Sequence, residues 1–427
     1  DLRSDLPGEQ RMEIYTIGFG ISDPLLVRTA QNGRGFFREA WDLDTLIFEL
    51  GTVIGDIVTR ISAGAAVAVV STEAGDDDYL YRGKFMPGLW RGFLEAFELP
   101  FEDGDSPVWE AGALLRGRDP DSRVIFTSLD DDVLEFDRSN VDPLKYAIAP
   151  NGPGSGEDDF DGYGVNWDND FDSSDQNLGP MFDADYVGDV IDYVRGEHVE
   201  GFRDREGWLL GDLVYSTPVV VGPPRGASMD ESFQDFVLAH QGRERIVYVG
   251  ANDGMLHAFE ADTGKEIWAY VPRSVLGTLE LLADPAYCHR SYVDLSPTAI
   301  DIEIDGDWRT VLVGGLRGGG DAYFALDVTD PYAPELLWET RNHFLVKAFT
   351  DPVVVRTPQG AVVWTGSGPD PFGYSYMSVI DLESGNILYL SALSVIGGVN
   401  AATAPAPIDL DHDGYHDMVY QADLAGN

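Results

Sequence analysis

Hydrophobic and polar residues alternate with a period of two along most of the chain after residue 206. Short runs rich in valine, isoleucine, tyrosine and tryptophan are separated by tight turns, as in "RIVYVGANDGMLHAFEADTGKEIWAYV" at 245–271. Period two is the side-chain repeat of a β-strand, and adjacent aspartate and glycine residues mark the turns. The pattern predicts a series of short antiparallel strands over 206–427.

One phrase recurs within this series. A strand ends in a core residue and is followed by an aspartate and a turn in "EADTG" at 260–264, "LDVTD" at 326–330 and "IDLESG" at 380–385. A spacing of about 60 residues suits the blades of a β-propeller that carry insertions. The pairs Asp253–Gly254 and Asp305–Gly306 are predicted to be ordinary hairpin turns without chemistry.

The first 62 residues have a different pattern, which predicts alternating strands and helices. "IYTIGF" at 14–19 is typical of a buried strand, and "DPLLVRTAQN" at 23–32 of a short helix capped by aspartate. "DLDTLIFELGTVIGDIVTRI" at 42–61 has apolar residues at helical spacing. Residues 1–62 are therefore predicted to form an α/β segment.

Residues 63–205 are predicted to form a β-rich connecting region. Period-two patterns occur in "AVAVVST", "YLYRGKFMP", "LWRGFLEAFEL" and "RVIFTSL". Residues 151–179 are rich in glycine, aspartate and asparagine, which predicts a solvated acidic loop. A second cation site within that loop is an alternative. A short helix, "VGDVIDYVRGE", is predicted to follow at 187–197.

The charge balance is strongly acidic: 28 basic and 74 acidic residues give a net charge of −46. Such a chain repels phosphates, which excludes nucleic acid as a partner. Lysine occurs only four times, a usage expected of a protein working in salty water. The longest apolar run, 65–70, is far too short to span a membrane. The single cysteine, Cys288, excludes an internal disulfide and is expected to be a partly buried thiol.

Aspartate occupies every other position at the start of "DLDHDGYHD", residues 409–417. Oxygen ligands at loop positions 1, 3, 5, 7 and 9, with glycine at position 6, are how a chain wraps Ca²⁺. A calcium loop is therefore predicted, with Gly414 at the sharp turn. Its predicted ligands are the carboxylates of Asp409, Asp411, Asp413 and Asp417 and the backbone carbonyl of Tyr415.

The flanks of this loop indicate strands rather than helices. "APAPI" precedes it, "MVYQA" follows it, and Tyr420 stands at position 12, where a helix-loop-helix calcium site has a bidentate glutamate. We therefore predict a calcium loop between two strands. The alternative is a solvated acidic turn in an aspartate-rich chain. His412 and His416 are expected to face solvent.

At "VYVGANDGMLHAFEADTGKEIWAYVP", 247–272, the sequence closely resembles the type IV pilus tip-associated adhesins of the PilC/PilY family. The opening "IYTIGFGISDPLLVRTAQNGRGFF" is similar to the last third of the von Willebrand factor A domain that precedes the propeller in that family. Further similar segments, in family order, are "DSPVWEAGALLRGRDPDSRVIFTS", "GFRDREGWLLGDLVYSTPVVVG", "HRSYVDLSPTA", "TVLVGGLRGGGDAYFALDVTDP" and "APAPIDLDHDGYHDMVYQADLAGN".

The resemblance implies a mainly β protein with a quinoprotein-like β-propeller at 206–427. It also implies secretion to the surface of a Gram-negative bacterium, at the pilus tip on minor pilins. There the protein would promote pilus assembly and bind a surface or host-cell receptor, and the loop at 409–417 would bind calcium and influence pilus extension. The unusual start and the last strand pair lead us to expect an incomplete propeller and a piece of a longer protein.

Two family features are missing from this sequence. A complete von Willebrand factor A domain holds a metal with a DxSxS motif, which is absent, so no metal is expected in 1–62. The nearest match to an integrin-binding RGD triplet is Arg195-Gly196-Glu197, so integrin binding is not expected.

Two other functions remain open from the sequence. "ADTGKEIW" also resembles repeats of the pyrroloquinoline-quinone propeller dehydrogenases, which hold the cofactor against adjacent cysteines, but Cys288 has no cysteine neighbour. Trp268 is expected to pack between blades as core, and Cys288 with His289 to be structural because no partner residue is identifiable. A passive secreted propeller scaffold is the other alternative.

Overall fold

The structure is a computed structural model that forms two compact units, Asp1–Ala63 with Met86–Leu89, and Gly64–Phe85 with Trp90–Asn427. It describes residues 14–43, 45–46, 49–50, 63–69, 79–100, 105–129, 132–148, 184–225, 231–342, 345, 347–369, 374–393, 402–411 and 414–423. The loop at 151–179 therefore lies outside the described residues, and the second cation site considered there stays a prediction.

The first unit contains the predicted strand and capped helix. β1 (Ile14–Phe19) and β2 (Arg34–Ala40) pair in parallel, joined by α1 (Pro24–Asn32). Asp23 caps α1, because its Oδ1 accepts a hydrogen bond of 2.7 Å from the Leu25 amide. Most of the second predicted helix, 42–61, lies outside the described residues. The relation of residues 1–62 to a von Willebrand factor A domain stays a prediction.

The second unit is built from consecutive four-stranded sheets, whose strands follow one another in chain order. The first sheet has β3 (Ala63–Val69), β4 (Tyr79–Met86), β5 (Arg91–Glu98) and β6 (Trp109–Glu110). An insertion follows with α2 (Ala111–Arg116), β7 (Ile125–Leu129), β8 (Asp132–Glu135), α3 (Val141–Ile148) and α4 (Ala184–Arg195).

The remaining sheets carry the strand series predicted for 206–427. The second sheet has β9 (Val219–Val221), β10 (Ile246–Gly250), β11 (Leu256–Glu260) and β12 (Glu266–Val271), with α5 (Glu231–Ala239) between β9 and β10 and α6 (Glu280–Ala283) after β12. The third has β13 (Thr298–Ile304), β14 (Asp307–Gly315), β15 (Ala322–Asp327) and β16 (Glu335–Arg341). The fourth has β17 (Val353–Thr357), β18 (Gly360–Gly366), β19 (Ser375–Asp381) and β20 (Ile387–Leu393). β21 (Ala406–Ile408) and β22 (Met418–Tyr420) form a two-stranded sheet.

The insertion widens the second sheet to six strands. β7 pairs in parallel with the outer strand β12, and β8 continues the sheet beyond β7. One hydrophobic core joins residues of the insertion, including Ile125 and Val190, to Tyr248 and Trp268. The boundary predicted near residue 205 therefore falls within one continuous core.

Each of three sheets repeats the same irregularity between its last two strands. The register shifts by one residue at Ala258/Phe259, Ala325/Leu326 and Val379/Ile380. A bulge bends the outer strand and increases its twist, which suits the strongly twisted blades of a propeller. The turn sequence that recurs at 260–264, 326–330 and 380–385 is thus accompanied by a recurring bulge in the backbone.

Tryptophans on outer strands connect each sheet to the next. The indole N–H of Trp109, Trp268 and Trp338 donates to the carbonyls of Ala261, Pro331 and Leu382, at 2.9, 2.8 and 2.7 Å respectively. Trp268 is 1% exposed, which confirms the prediction that it packs between blades. Trp109 makes the same contact from β6, which joins the sheet β3–β6 to the second sheet. The predicted division between connecting region and propeller at residue 206 stays a prediction.

No helix among the described residues has the length and apolar character that crossing a membrane requires.

Candidate metal centre

The aspartate-rich loop lies between two strands, as the sequence predicted. β21 and β22 pair antiparallel, with Ile408 opposite Met418, and the Asp417 amide donates to the Ile408 carbonyl at 2.9 Å. The loop therefore joins the two strands of this hairpin. In the sheet β13–β16, the corresponding position has the hairpin turn at Asp305–Gly306.

Three of the predicted ligands come together. Asp409, Asp411 and Asp417 each offer a carboxylate oxygen, and these oxygens all lie within 4.8 Å of one another. Ligands about 2.4 Å from a common Ca²⁺ are at most about 4.8 Å apart, so the spacing fits a shared ion. Among the described residues, this is the one group of three or more acidic, histidine or cysteine side chains that are close enough to share a metal.

The other two predicted ligands are only partly placed. Asp413 lies outside the described residues, and its ligation stays a prediction. Tyr415 lies in the loop, and it is 44% exposed, so its ring is not buried among the carboxylates. Gly414 has φ of +93° and no heavy atom within 4 Å of where a Cβ would lie. The turn therefore favours glycine because of its backbone conformation and not because of crowding.

Backbone amides hold two of the carboxylates in place. Gly414 N–H donates to Asp409 Oδ2 at 2.9 Å, and Leu410 N–H donates to Asp417 Oδ2 at 2.8 Å. These bonds cross the loop in both directions, so its ends are drawn together before any cation is considered. The hydrogen bonds position the two carboxylates without neutralising their charge.

His416 is not directed to solvent as the sequence analysis expected. Its amide donates to the Arg356 carbonyl at 2.8 Å, and its Nδ1 accepts from the Arg356 amide at 3.0 Å. The side chain is half-buried against β17. Alternation within the loop predicted an outward side chain, but it could not reveal a strand from the neighbouring sheet.

Asp253 has more than a turn function. It is 5% exposed, accepts from the Gly211 amide at 2.7 Å, and lies 3.1 Å from Nε2 of His257. The opposite ring nitrogen, Nδ1, lies 2.8 Å from Glu266. Glu266 in turn makes two 2.8 Å bonds to the buried guanidinium of Arg123. The Asp253–Gly254 pair is a hairpin turn, as predicted, and Asp253 also joins a buried ion network that the sequence did not indicate.

The charges of this buried network support one another. Burial alone would lower the pKa of His257, but the adjacent carboxylates of Asp253 and Glu266 outweigh it and raise the pKa to about 9. Burial opposes ionisation of Glu266, but Arg123 and His257 hold the pKa of that carboxyl well below its usual range. His257 is thus a protonated bridge between two carboxylates. Because all its groups are enclosed, we assign the network to structure.

Cys288 and His289 have an environment that the sequence did not predict. Cys288 is exposed rather than partly buried. His289 Nε2 lies 2.8 Å from Asp212, which is 1% exposed, and its ring stacks on Trp90 with 3.6 Å between centroids. An aspartate partner for His289 therefore exists, 77 residues away in the chain. The stacked indole and the buried carboxylate fix the orientation of the imidazole.

Comparison with known proteins places this fold in one family. The family model described as the PilY1 beta-propeller domain matches residues 210–427. The type IV pilus biogenesis factor PilY1 of Pseudomonas aeruginosa strain UCBPP-PA14 is 32% identical over 431 residues, which cover 94% of this chain and 35% of that protein. A PilY1 homolog of Xylella fastidiosa strain Temecula1 is 31% identical over 411 residues, 91% of this chain and 30% of that protein.

Among solved structures, the Pseudomonas aeruginosa PilY1 C-terminal domain has 35% identity over 49% of this chain and 44% of its own, with a TM-score of 0.42. A europium-containing methanol dehydrogenase has 12% identity and a TM-score of 0.29, values too low to indicate a shared function. The chain spans about a third of the length of the curated relatives named above. Its fold is mainly β with a β-propeller, and the chain belongs to the PilY1 family.

Proposed function

We propose that this chain is the calcium-binding propeller part of a type IV pilus biogenesis factor that acts outside the cell. Its relatives are named type IV pilus biogenesis factors, and it matches only part of their length. In this proposal the protein lies at the pilus tip, contacts minor pilins, promotes pilus assembly and extension, and attaches to a surface or host-cell receptor. The segment before residue 63 would be the end of a von Willebrand factor A domain.

The observation that carries the calcium proposal is the convergence of Asp409, Asp411 and Asp417 within 4.8 Å. Three carboxylates at that separation repel one another, and a divalent cation among them removes the repulsion. Hard oxygen ligands on a flexible loop select calcium over magnesium, which demands a smaller and more regular shell. Asp413 and the Tyr415 carbonyl would complete the ligand set.

Calcium affinity in such extracellular modules is about 10⁻⁴ to 10⁻³ M, which seawater or host fluid is sufficient to supply. The chain would thus fill the site only outside the cell. We propose no catalytic function. The pyrroloquinoline-quinone dehydrogenases typically hold their cofactor against adjacent cysteines, and Cys288 is the single cysteine of the sequence.

Calorimetric titration of the full chain with Ca²⁺ tests the proposal. The buffer contains high KCl and excess Mg²⁺, which saturate unspecific carboxylates. Asp411→Asn removes one ligand charge. Asp307→Asn is the matched control, because Asp307 is an exposed carboxylate beside the corresponding turn of the sheet β13–β16.

We expect one saturable site in the wild-type chain and in Asp307→Asn, and its loss or a weakening of at least about tenfold in Asp411→Asn. Equal weak heats from all three proteins would show a solvated acidic turn and would remove the calcium proposal. A bacterial twitching and attachment assay with the same two variants then separates a biogenesis factor from a passive scaffold, because only the former links ion binding to pilus extension.

A further inference from the structure

We propose that His416 and Arg356 transmit the state of the loop 409–417 to strands β17 and β13. Ion binding would then stiffen three successive sheets and not the loop alone. The inference rests on the calcium function proposed above, and it adds a route by which the ion acts on the propeller.

The first connection joins the loop to β17. Both backbone groups of Arg356 bond to His416: its carbonyl accepts the His416 amide at 2.8 Å, and its amide donates to Nδ1 at 3.0 Å. Among the described strands, β17 is the terminal strand of its sheet and is paired with β18. His416 therefore occupies hydrogen-bonding groups on the edge of β17 that another strand would otherwise pair with.

The second connection joins β17 to β13. The Arg356 guanidinium donates from Nη2 to the Asp301 carbonyl at 2.6 Å, and Asp301 lies on β13. β13 is likewise the terminal strand of its sheet. Arg356 thus contacts both the preceding sheet through its side chain and the following hairpin through its backbone.

The third step is the position of His416 within the loop. It lies between Tyr415, the predicted carbonyl ligand, and Asp417, a carboxylate of the cluster. Planar peptide units join these residues, so fixing the ligands on both sides also fixes the position of His416. When no cation is bound, repulsion among the carboxylates works against the hydrogen bonds that close the loop, and in this proposal it weakens both bonds between His416 and Arg356.

Hydrogen exchange measured by mass spectrometry on the full chain tests this coupling, with and without Ca²⁺ in excess Mg²⁺ at one pH. His416→Ala removes the Nδ1 acceptor. His198→Ala is the matched control, because His198 is exposed and lies in the loop after α4. Arg356→Gln keeps the backbone bonds to His416 and shortens the side chain that reaches Asp301.

In the wild-type chain and in His198→Ala, we expect calcium to slow exchange in 409–417, in 353–357 and, through Arg356, in 298–304. The slowing in 353–357 should be about fivefold, the factor expected for one net hydrogen bond. In His416→Ala, the loop should remain protected by calcium while 353–357 loses its response. In Arg356→Gln, 353–357 should still respond, and the response of 298–304 should disappear.

The outcomes separate the two proposals. Absence of calcium binding in the wild-type chain would overturn the proposed function and this inference together. Calcium binding that protects the loop but leaves 353–357 unchanged would overturn only the inference, as would a response of 353–357 that persists in His416→Ala. If His416→Ala does not fold, the loss or persistence of the 298–304 response in Arg356→Gln decides the matter.

Discussion

Replacing Glu266 with glutamine tests whether the buried ion network fastens the insertion to the sheet β9–β12. Glu266 lies at the start of β12. Arg118 and Arg123 precede β7 in the insertion, and both donate hydrogen bonds to the Glu266 carboxylate. The network therefore spans the parallel pairing of β7 with β12, which the sequence pattern did not indicate.

The size of the effect follows from the burial. Arg123 and Glu266 are both 0% exposed, and two bonds of 2.8 Å join them in a bidentate pair. Glutamine removes the negative charge and presents an N–H₂ group to a buried guanidinium. Breaking a buried pair by changing one partner leaves the other charge uncompensated, at a cost of about 3–5 kcal/mol. His257 loses one of its two carboxylates in the same step, which adds to the loss.

Urea denaturation of the full chain, followed by circular dichroism and tryptophan fluorescence, measures the change. Limited proteolysis reports detachment of β7 and β8 separately. The control is Glu206→Gln, because Glu206 is 65% exposed and pairs with Arg91 at the surface, where an ion pair contributes about 0–1 kcal/mol. If the free energy of unfolding of Glu266→Gln lies within about 1 kcal/mol of that of the control, and both variants are cleaved at the same rate, the network does not hold the insertion.

Three further predictions concern other parts of the structure. The folded-state pKa of His257 is raised to about 9, so the stability that its protonation adds to the fold is complete below the unfolded pKa of about 6.5 and is lost as pH rises through about 9. Thermal unfolding at pH 6 and pH 9.5 should show this loss. His257→Asn should reduce the difference in stability between the two pH values. Trp338→Phe removes the donor to the Leu382 carbonyl and should lower the free energy of unfolding by about 1–3 kcal/mol; an unchanged urea midpoint would contradict the blade-to-blade contact. Gly414→Ala places a side chain on a residue with φ of +93°, which strains the turn and should weaken calcium binding. The urea midpoint of the propeller should not change, since nothing lies within 4 Å of the new Cβ. Calorimetry measures the calcium affinity, and an affinity equal to that of the wild-type chain would contradict the role of the turn.

The clustering of the carboxylates in the loop 409–417 could be predicted because its signal is local. The spacing of Asp409, Asp411 and Asp417, with a glycine between them, is contained in nine residues, and the strands on either side have their own period-two pattern. A tight turn brings residues of that spacing together whatever the rest of the chain does. The structure places these three carboxylates within one ion's reach for that reason.

The contacts between residues 63–205 and the propeller could not be predicted in the same way. Trp109 donates to a carbonyl 152 residues further along the chain, and Arg123 pairs with Glu266 across 143 residues. Neither contact leaves a local trace, because a buried tryptophan and an arginine near a strand are both common. The sequence therefore indicated the strands of the first sheet and β7, but not their contacts with residues 206–427.

Asp253 illustrates the same limit within a correct local prediction. The Asp-Gly pair does mark a turn, and Gly254 has φ of +96°. Turn propensity explains the glycine but does not reveal what the aspartate side chain contacts. One partner, the Gly211 amide, lies 42 residues earlier in the chain and reaches the turn only through packing. The other, His257, lies four residues further on in β11.

The strands beside the loop 409–417 are short, so under the calcium function proposed above we expect this hairpin to depend on the ion. β21 and β22 have three residues each, whereas the first two strands of the sheet β13–β16 have seven and nine. A short two-stranded hairpin has little cross-strand pairing and is marginal by itself. The backbone bonds within the loop and the contact of His416 with Arg356 supply part of the missing stability, but carboxylate repulsion opposes them. Removing calcium should therefore fray β21 and β22 before any other described sheet, because among the described residues this hairpin alone brings three carboxylates within 4.8 Å of one another.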